Sequence, residues 1–110
     1  MKATLAWLSL VGALSFGSTP ATAADVKANW DQHCVACHGG DGKGQTKAGR
    51  KAQVKDLTDP KYRKTLEDDK MFKAVKEGMK EGGKEKMKPF GDKLSDEEIK
   101  ALIVLIKGLK

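Results

Sequence analysis

The chain has 110 residues, with 21 Lys and Arg against 15 Asp and Glu and a formal charge of +6. Its length suits one small domain, whose modest core commonly needs a staple such as a disulfide, a metal or a prosthetic group. The lysines are dispersed, and neither aromatic interleaving nor a nucleic-acid-binding motif accompanies them, which sets nucleic-acid binding aside.

Lys2 is the only charged residue among the first 24. Leu5 to Phe16 is mostly apolar, and the small residues Ala21-Thr22-Ala23-Ala24 follow. A short positive start, a short apolar stretch and a small-residue cleavage site describe a secretory signal peptide. The apolar run is too short for the roughly 20 residues of a spanning helix, which argues against an uncleaved anchor. Residues 1–24 are therefore read as a cleaved leader and 25–110 as the mature domain. Removing the leader takes away Lys2 and no acid, so the charge falls to +5. No other segment is fit to enter a membrane stably.

The spacing predicts a first helix from Asp25 to Cys37, with Asp25 as N-cap. Val26, Trp30 and Cys34 stand at i, i+4 and i+8 and form one apolar stripe. The stripe ends in Cys34-Val35-Ala36-Cys37-His38, and Gly39-Gly40 stops the helix. CxxCH is the attachment sequence of a c-type haem. Cys34 and Cys37 are three apart, so on a helical turn both thiols face one side. There they can form thioether bonds to the two vinyl groups of one porphyrin. His38 lies on the same face and can bind the iron as proximal ligand. His33 points about 100° away from Cys34 and reads as an edge residue.

Residues 39–67 are polar and rich in Gly and Lys, and predict a loop with one helical turn around Pro60 to Leu66. A second helix is predicted from Asp68 to Gly78, with Met71, Phe72, Val75 and Met79 as its buried stripe. Gly82 to Lys93 reads as a second loop. No stretch shows sustained strand alternation. The last helix is the best specified. Ser95 and Glu98 make a capping box, and Leu94 and Ile99 a hydrophobic staple. Ile99, Leu102, Ile103 and Ile106 then recur at helical spacing until Gly108.

An electron carrier needs a sixth iron ligand, and a soft thioether raises the potential. Met71 and Met79 lie on the helical stripe, where core packing is the plainer role. Met87 precedes Lys88-Pro89-Phe90, and Pro89 holds Lys88 extended, so the segment suits laying a side chain over a flat cofactor. Met87 is the favoured ligand and Met79 the alternative. A zinc site of His33, Cys34, Cys37 and His38 would crowd every ligand into six residues, whereas structural zinc draws on separated pairs. Thiol–disulfide chemistry needs CxxC beside a βαβ pattern, which the sequence lacks. The glycine-rich run Gly39 to Gly44 lacks the Ser/Thr and the glycine spacing of a phosphate loop.

These residues resemble the small class I cytochromes c, of the bacterial single-haem, cytochrome c6-like sort. The likeness covers nearly all of residues 25–110. It rests on the helix running into Cys34–His38, on Gly-Gly-Asp-Gly-Lys-Gly, on Met87-Lys-Pro-Phe90-Gly-Asp-Lys-Leu-Ser95, and on the amphipathic last helix. It implies an all-α cytochrome c fold, with three main helices and loops wrapped around one covalently bound haem c. It implies Cys34 and Cys37 as thioether links, His38 and Met87 as axial ligands, and a crossing of the first and last helices. Trp30 matches the usual aromatic of the first helix, but the aromatic expected near position 105 is Leu105. Many relatives orient the proximal imidazole with a proline carbonyl. No proline lies between His38 and Asp59, so a carbonyl around Ala48 to Arg50 is expected instead.

The expected function is a soluble exported carrier, not an enzyme, passing single electrons between redox proteins. Its partners would present acidic docking faces to lysines such as Lys43, Lys47, Lys51, Lys86 and Lys88. A monomer in a periplasm is expected, with a photosynthetic lumen as the other compartment. The alternatives are a haem sensor or ligand-binding protein with an open distal site, and the electron-transfer subunit of a dehydrogenase.

Overall fold

The computed structural model describes Gly12 and residues 23–110. The expected leader lies outside the described residues apart from Gly12, Ala23 and Ala24, the last two of which open the first helix.

Helix α1 spans Ala23–His33 and α2 spans Val35–His38. The sequence predicts one helix through Cys37, and the structure breaks it at Cys34. The break is a local distortion, because Cys34 N–H still donates to the Trp30 carbonyl at 2.9 Å and His38 N–H to the Cys34 carbonyl at 2.9 Å. Asp25 sits in the first turn of α1 instead of capping it, where its charge still complements the helix dipole. Gly39 then takes φ +79 and ends α2.

The stretch predicted as loop contains helix α3, Lys47–Ala52, capped by Thr46, whose hydroxyl accepts from Gly49 N–H at 2.8 Å. Helix α4, Pro60–Arg63, is the expected turn, with Asp59 as N-cap and Pro60 in its first turn. Helix α5 spans Asp68–Glu77 and buries Met71 and Val75.

Met79 does not continue the α5 stripe. Gly78 takes φ +77, and the chain turns into strand β1, Met79–Glu81, paired antiparallel with β2, Lys84–Met87. Gly82 and Gly83 join the strands with φ of +58 and +78, as a two-residue hairpin turn of the primed type requires. The second loop of the sequence reading therefore begins as a hairpin, and Met79 is 52% exposed.

Helix α6 spans Asp96–Lys107 and has both halves of the capping box, a device worth about 1 kcal/mol. Ile99, Leu102, Ile103 and Ile106 are buried, as their spacing predicts. They meet Val26 and Trp30 of α1 and Met71 and Val75 of α5, with Leu57, Leu94 and Cys34 completing the core. Ile99 at 0% and Leu102 at 1% exposure each contribute roughly 1.5–3 kcal/mol of burial. Asn29 of α1 donates to Glu98 of α6 at 2.8 Å, and Lys107 pairs with Asp68 across α6 and α5 at 2.7 Å. Leu105 is half-buried against the core at the position where an aromatic is expected.

Candidate haem site

The core carries the Cys34–His38 turn at the end of α1. Both thiols are free, Cys34 buried and Cys37 half-buried. Burial, with a smaller contribution from Cys37, pushes the Cys34 thiol up to about 11. A thiol–disulfide enzyme needs the opposite, a thiol held low enough to ionise near neutrality. Among the described residues, no group of three or more His, Cys, Asp or Glu side chains is gathered as metal ligands. The zinc set considered above is thus not assembled.

His38 lies against Trp30, with ring centroids 6.1 Å apart and planes at 27°. Burial pushes its imidazole below the ordinary histidine value, which keeps it in the neutral form that binds a metal. Its Nδ1 is buried and makes no hydrogen bond. The carbonyl expected from Ala48 to Arg50 therefore does not accept from it. That segment does reach the motif, but at Cys37. The Thr46 hydroxyl donates to the Cys37 carbonyl at 2.9 Å, and a Cβ on Gly49 would overlap that same carbonyl oxygen. Thr46 and Gly49 are the site-building residues that the sequence reading passed over. Their signal was a threonine three residues before a glycine in a stretch with no apolar period.

The glycine-rich run folds back along the motif. Gly44 N–H donates to the His38 carbonyl at 2.7 Å, and Gly42 N–H to the Gly39 carbonyl at 3.1 Å. Gly44 takes φ +70, and a Cβ there would lie 2.6 Å from Val54. The backbone thus closes over the turn where side chains would not fit.

Met87 is half-buried and packs against the core from the end of β2. Its segment is fastened to the end of α5. Phe90 N–H donates to the Val75 carbonyl at 2.9 Å and Gly91 N–H to the Lys76 carbonyl at 3.1 Å. Phe90 also meets His33 edge-on, with centroids 5.5 Å apart, so the Met87 segment touches the end of α1, which leads into Cys34. His33 is half-buried at this seam, the edge role read from its helical angle. Met71 is buried within α5. Lys43, Lys47, Lys51 and Lys88 are exposed, while Lys86 is half-buried.

Two free thiols on one turn, a neutral imidazole with an unpartnered buried nitrogen, and a glycine-built backbone around them fit covalent haem c. With a helical cytochrome c-like fold, they define a small single-domain c-type cytochrome, whose cofactor is haem c. The chain belongs to the family described as cytochrome c oxidase, cbb3-type, subunit III, whose model matches residues 21–106. It is similar to the solved structure of the KustC0563 c-type cytochrome, at 32% identity and a TM-score of 0.69, covering 76% of this chain and 95% of that one. A tyrosine-to-phenylalanine mutant of Kustc0563 gives 32% identity and a TM-score of 0.68, covering 78% of this chain and 99% of that one. No curated protein matches the chain. Among the described residues, no helix is long and apolar enough to cross a membrane.

Proposed function

We propose that the protein is an exported, monomeric carrier that passes single electrons between redox proteins through a haem bound by His38 and Met87. When bound, the haem supplies the Fe(III)/Fe(II) couple. Cys34 and Cys37 tether it by thioether bonds, and His38 supplies the neutral nitrogen ligand. Met87 supplies the soft sulfur that favours the reduced state. Were His38 and Met87 both to hold the haem iron, no position on it would remain for a substrate, which would suit a carrier rather than an enzyme. One observation carries this reading. The segment bearing Met87 is fixed to α5 by backbone hydrogen bonds and to α1 by the Phe90–His33 contact. A methionine-bearing segment is thereby joined to the end of α1, at His33, the residue before the Cys34–His38 turn.

The leader read from residues 1–24 supports a periplasm, with a photosynthetic lumen as the other compartment. Partners with acidic faces suit the exposed lysines near the motif. The family's description names an oxidase subunit, so an oxidase of that type is the first acceptor to test. The deciding experiment is the absorption spectrum of the exported, purified protein in both redox states. We expect sharp c-type bands when reduced, a sulfur-to-iron charge-transfer band when oxidised, and slow carbon monoxide binding. A haem spectrum without that band and with rapid carbon monoxide binding favours the open-site sensor. Absence of covalent haem overturns the reading.

A further inference from the structure

The register of the hairpin is irregular at one point. Glu81 pairs with Lys84 and Lys80 with Glu85. A regular ladder would next set Lys86 opposite Met79. Met87 stands there instead, so Lys86 is one extra residue, a β-bulge in β2. A one-residue change of register moves a side chain to the other face of a strand. Regular pairing would therefore place Met79 and Met87 on opposite faces. The bulge places them on the same one, directly across from each other. Residues so paired have Cβ atoms roughly 4.5–5.5 Å apart. Methionine, with three rotatable bonds, spans such a gap readily.

The two thioethers differ in surroundings. Met87 packs against the core, whereas Met79 is 52% exposed. Met79 and Val104 are the exposed large hydrophobic side chains of the described residues. Core packing, the role its sequence position suggests, therefore does not account for Met79.

The geometry points to Met79 as a reserve thioether ligand, which replaces Met87 at the sixth position when Met87 is displaced or removed. This rests on the reading of Met87 as the resident ligand. In the exchange the bond from Met87 sulfur is broken and one to Met79 sulfur is formed. No electron or proton moves, and the charge and ligand type are unchanged. The bulge at Lys86 is what gives the ribbon two adjacent sulfurs on one face.

The test uses the exported, haem-loaded protein and three variants: Met87→Ala, Met79→Ala and the double substitution. Each is paired with its Met→Leu counterpart, which conserves volume should an alanine variant fail to fold. The readouts are the sulfur-to-iron band of the oxidised protein and carbon monoxide binding to the reduced protein. Both single variants are expected to keep the band. The double variant is expected to lose it and to bind carbon monoxide rapidly. Loss of the band in the Met87 variant with retention in the Met79 variant overturns the reserve role and leaves Met87 as ligand. Loss in the Met79 variant alone overturns the Met87 assignment. A band that survives in the double variant, or is missing from the unmutated protein, overturns both.

Discussion

Two glycines of similar φ separate what a residue does to its own conformation from what it does to the site. Gly78 has φ +77 and Gly83 has φ +78. Gly78 combines that φ with ψ −179, a region adopted almost only by glycine, and alanine at either position incurs a backbone cost of roughly 1–3 kcal/mol. Around Gly83 nothing lies within 4 Å, whereas a Cβ on Gly78 would lie 2.6 Å from the Met87 carbonyl oxygen and 2.9 Å from Pro89 N. Those contacts are backbone atoms, which cannot swing aside as a flexible side chain would. Gly78→Ala should therefore lower the thermal midpoint more than Gly83→Ala. It should also push the Met87 segment off its seat and, in a Met79→Leu background that removes the reserve sulfur, speed carbon monoxide binding to the reduced protein. Gly83→Ala should leave that binding unchanged. Equal effects of the two substitutions on carbon monoxide binding would remove Gly78 from the site.

At the scale of elements, the sequence reveals those whose signal is local. The final helix is legible because its cap and its apolar period agree, and the attachment turn because CxxCH has a chemistry of its own. Helix α3 is not legible. Its residues, Lys-Ala-Gly-Arg-Lys-Ala, show no apolar period, and it is held by Thr46 and by close contact of Gly49 with Cys37. The hairpin escapes because β1 is exposed throughout, so no alternation marks it. Only Gly82-Gly83 between short charged runs was available as a signal. The crossing of α1 and α6 was implied by resemblance, and its polar bond, Asn29 to Glu98, is a contact between residues 69 apart. That bond has a pH signature. Hydrogen bonds from the Ser95 backbone, Asn29 and the Ser95 side chain hold the Glu98 carboxyl below its ordinary value of 4.5. A carboxyl depressed in the folded state stabilises the fold above the unfolded value, and that contribution is lost as pH falls through the folded value. Thermal midpoints measured from about pH 6 to pH 3 should therefore fall less steeply for Glu98→Gln than for the parent. A parallel fall in both would show that Glu98 is not coupled to folding.

Over the whole molecule, the ion pairs are distributed unevenly, and this decides where the positive charge is felt. On α5 and α6, Lys70, Lys73, Lys76, Lys100 and Lys107 each lie within 4.0 Å of a carboxylate. Lys47 and Lys51 of α3, Lys84 of β2, and Lys88 beside Met87 enter no ion pair among the described residues, and all four are exposed. Unpaired positive charge thus lies on the elements flanking the attachment turn and Met87, as it also does on Lys61 and Lys64 at α4. On the proposed function, charges so placed would steer an acidic partner towards the site, and such steering raises association rates by roughly 10- to 1,000-fold at low salt. Screening shortens its reach to about 8 Å at physiological ionic strength. Electron transfer to an acidic redox partner should accordingly slow by roughly tenfold or more as salt rises from low to physiological strength. Reversing Lys47 and Lys88 to Glu should lower the low-salt rate and flatten the dependence. Reversing Lys73 and Lys100, already neutralised by Glu77 and Glu97, should change both much less. The same salt slope for the two double variants would place the docking face elsewhere, and a rate indifferent to salt would remove electrostatic steering from the account.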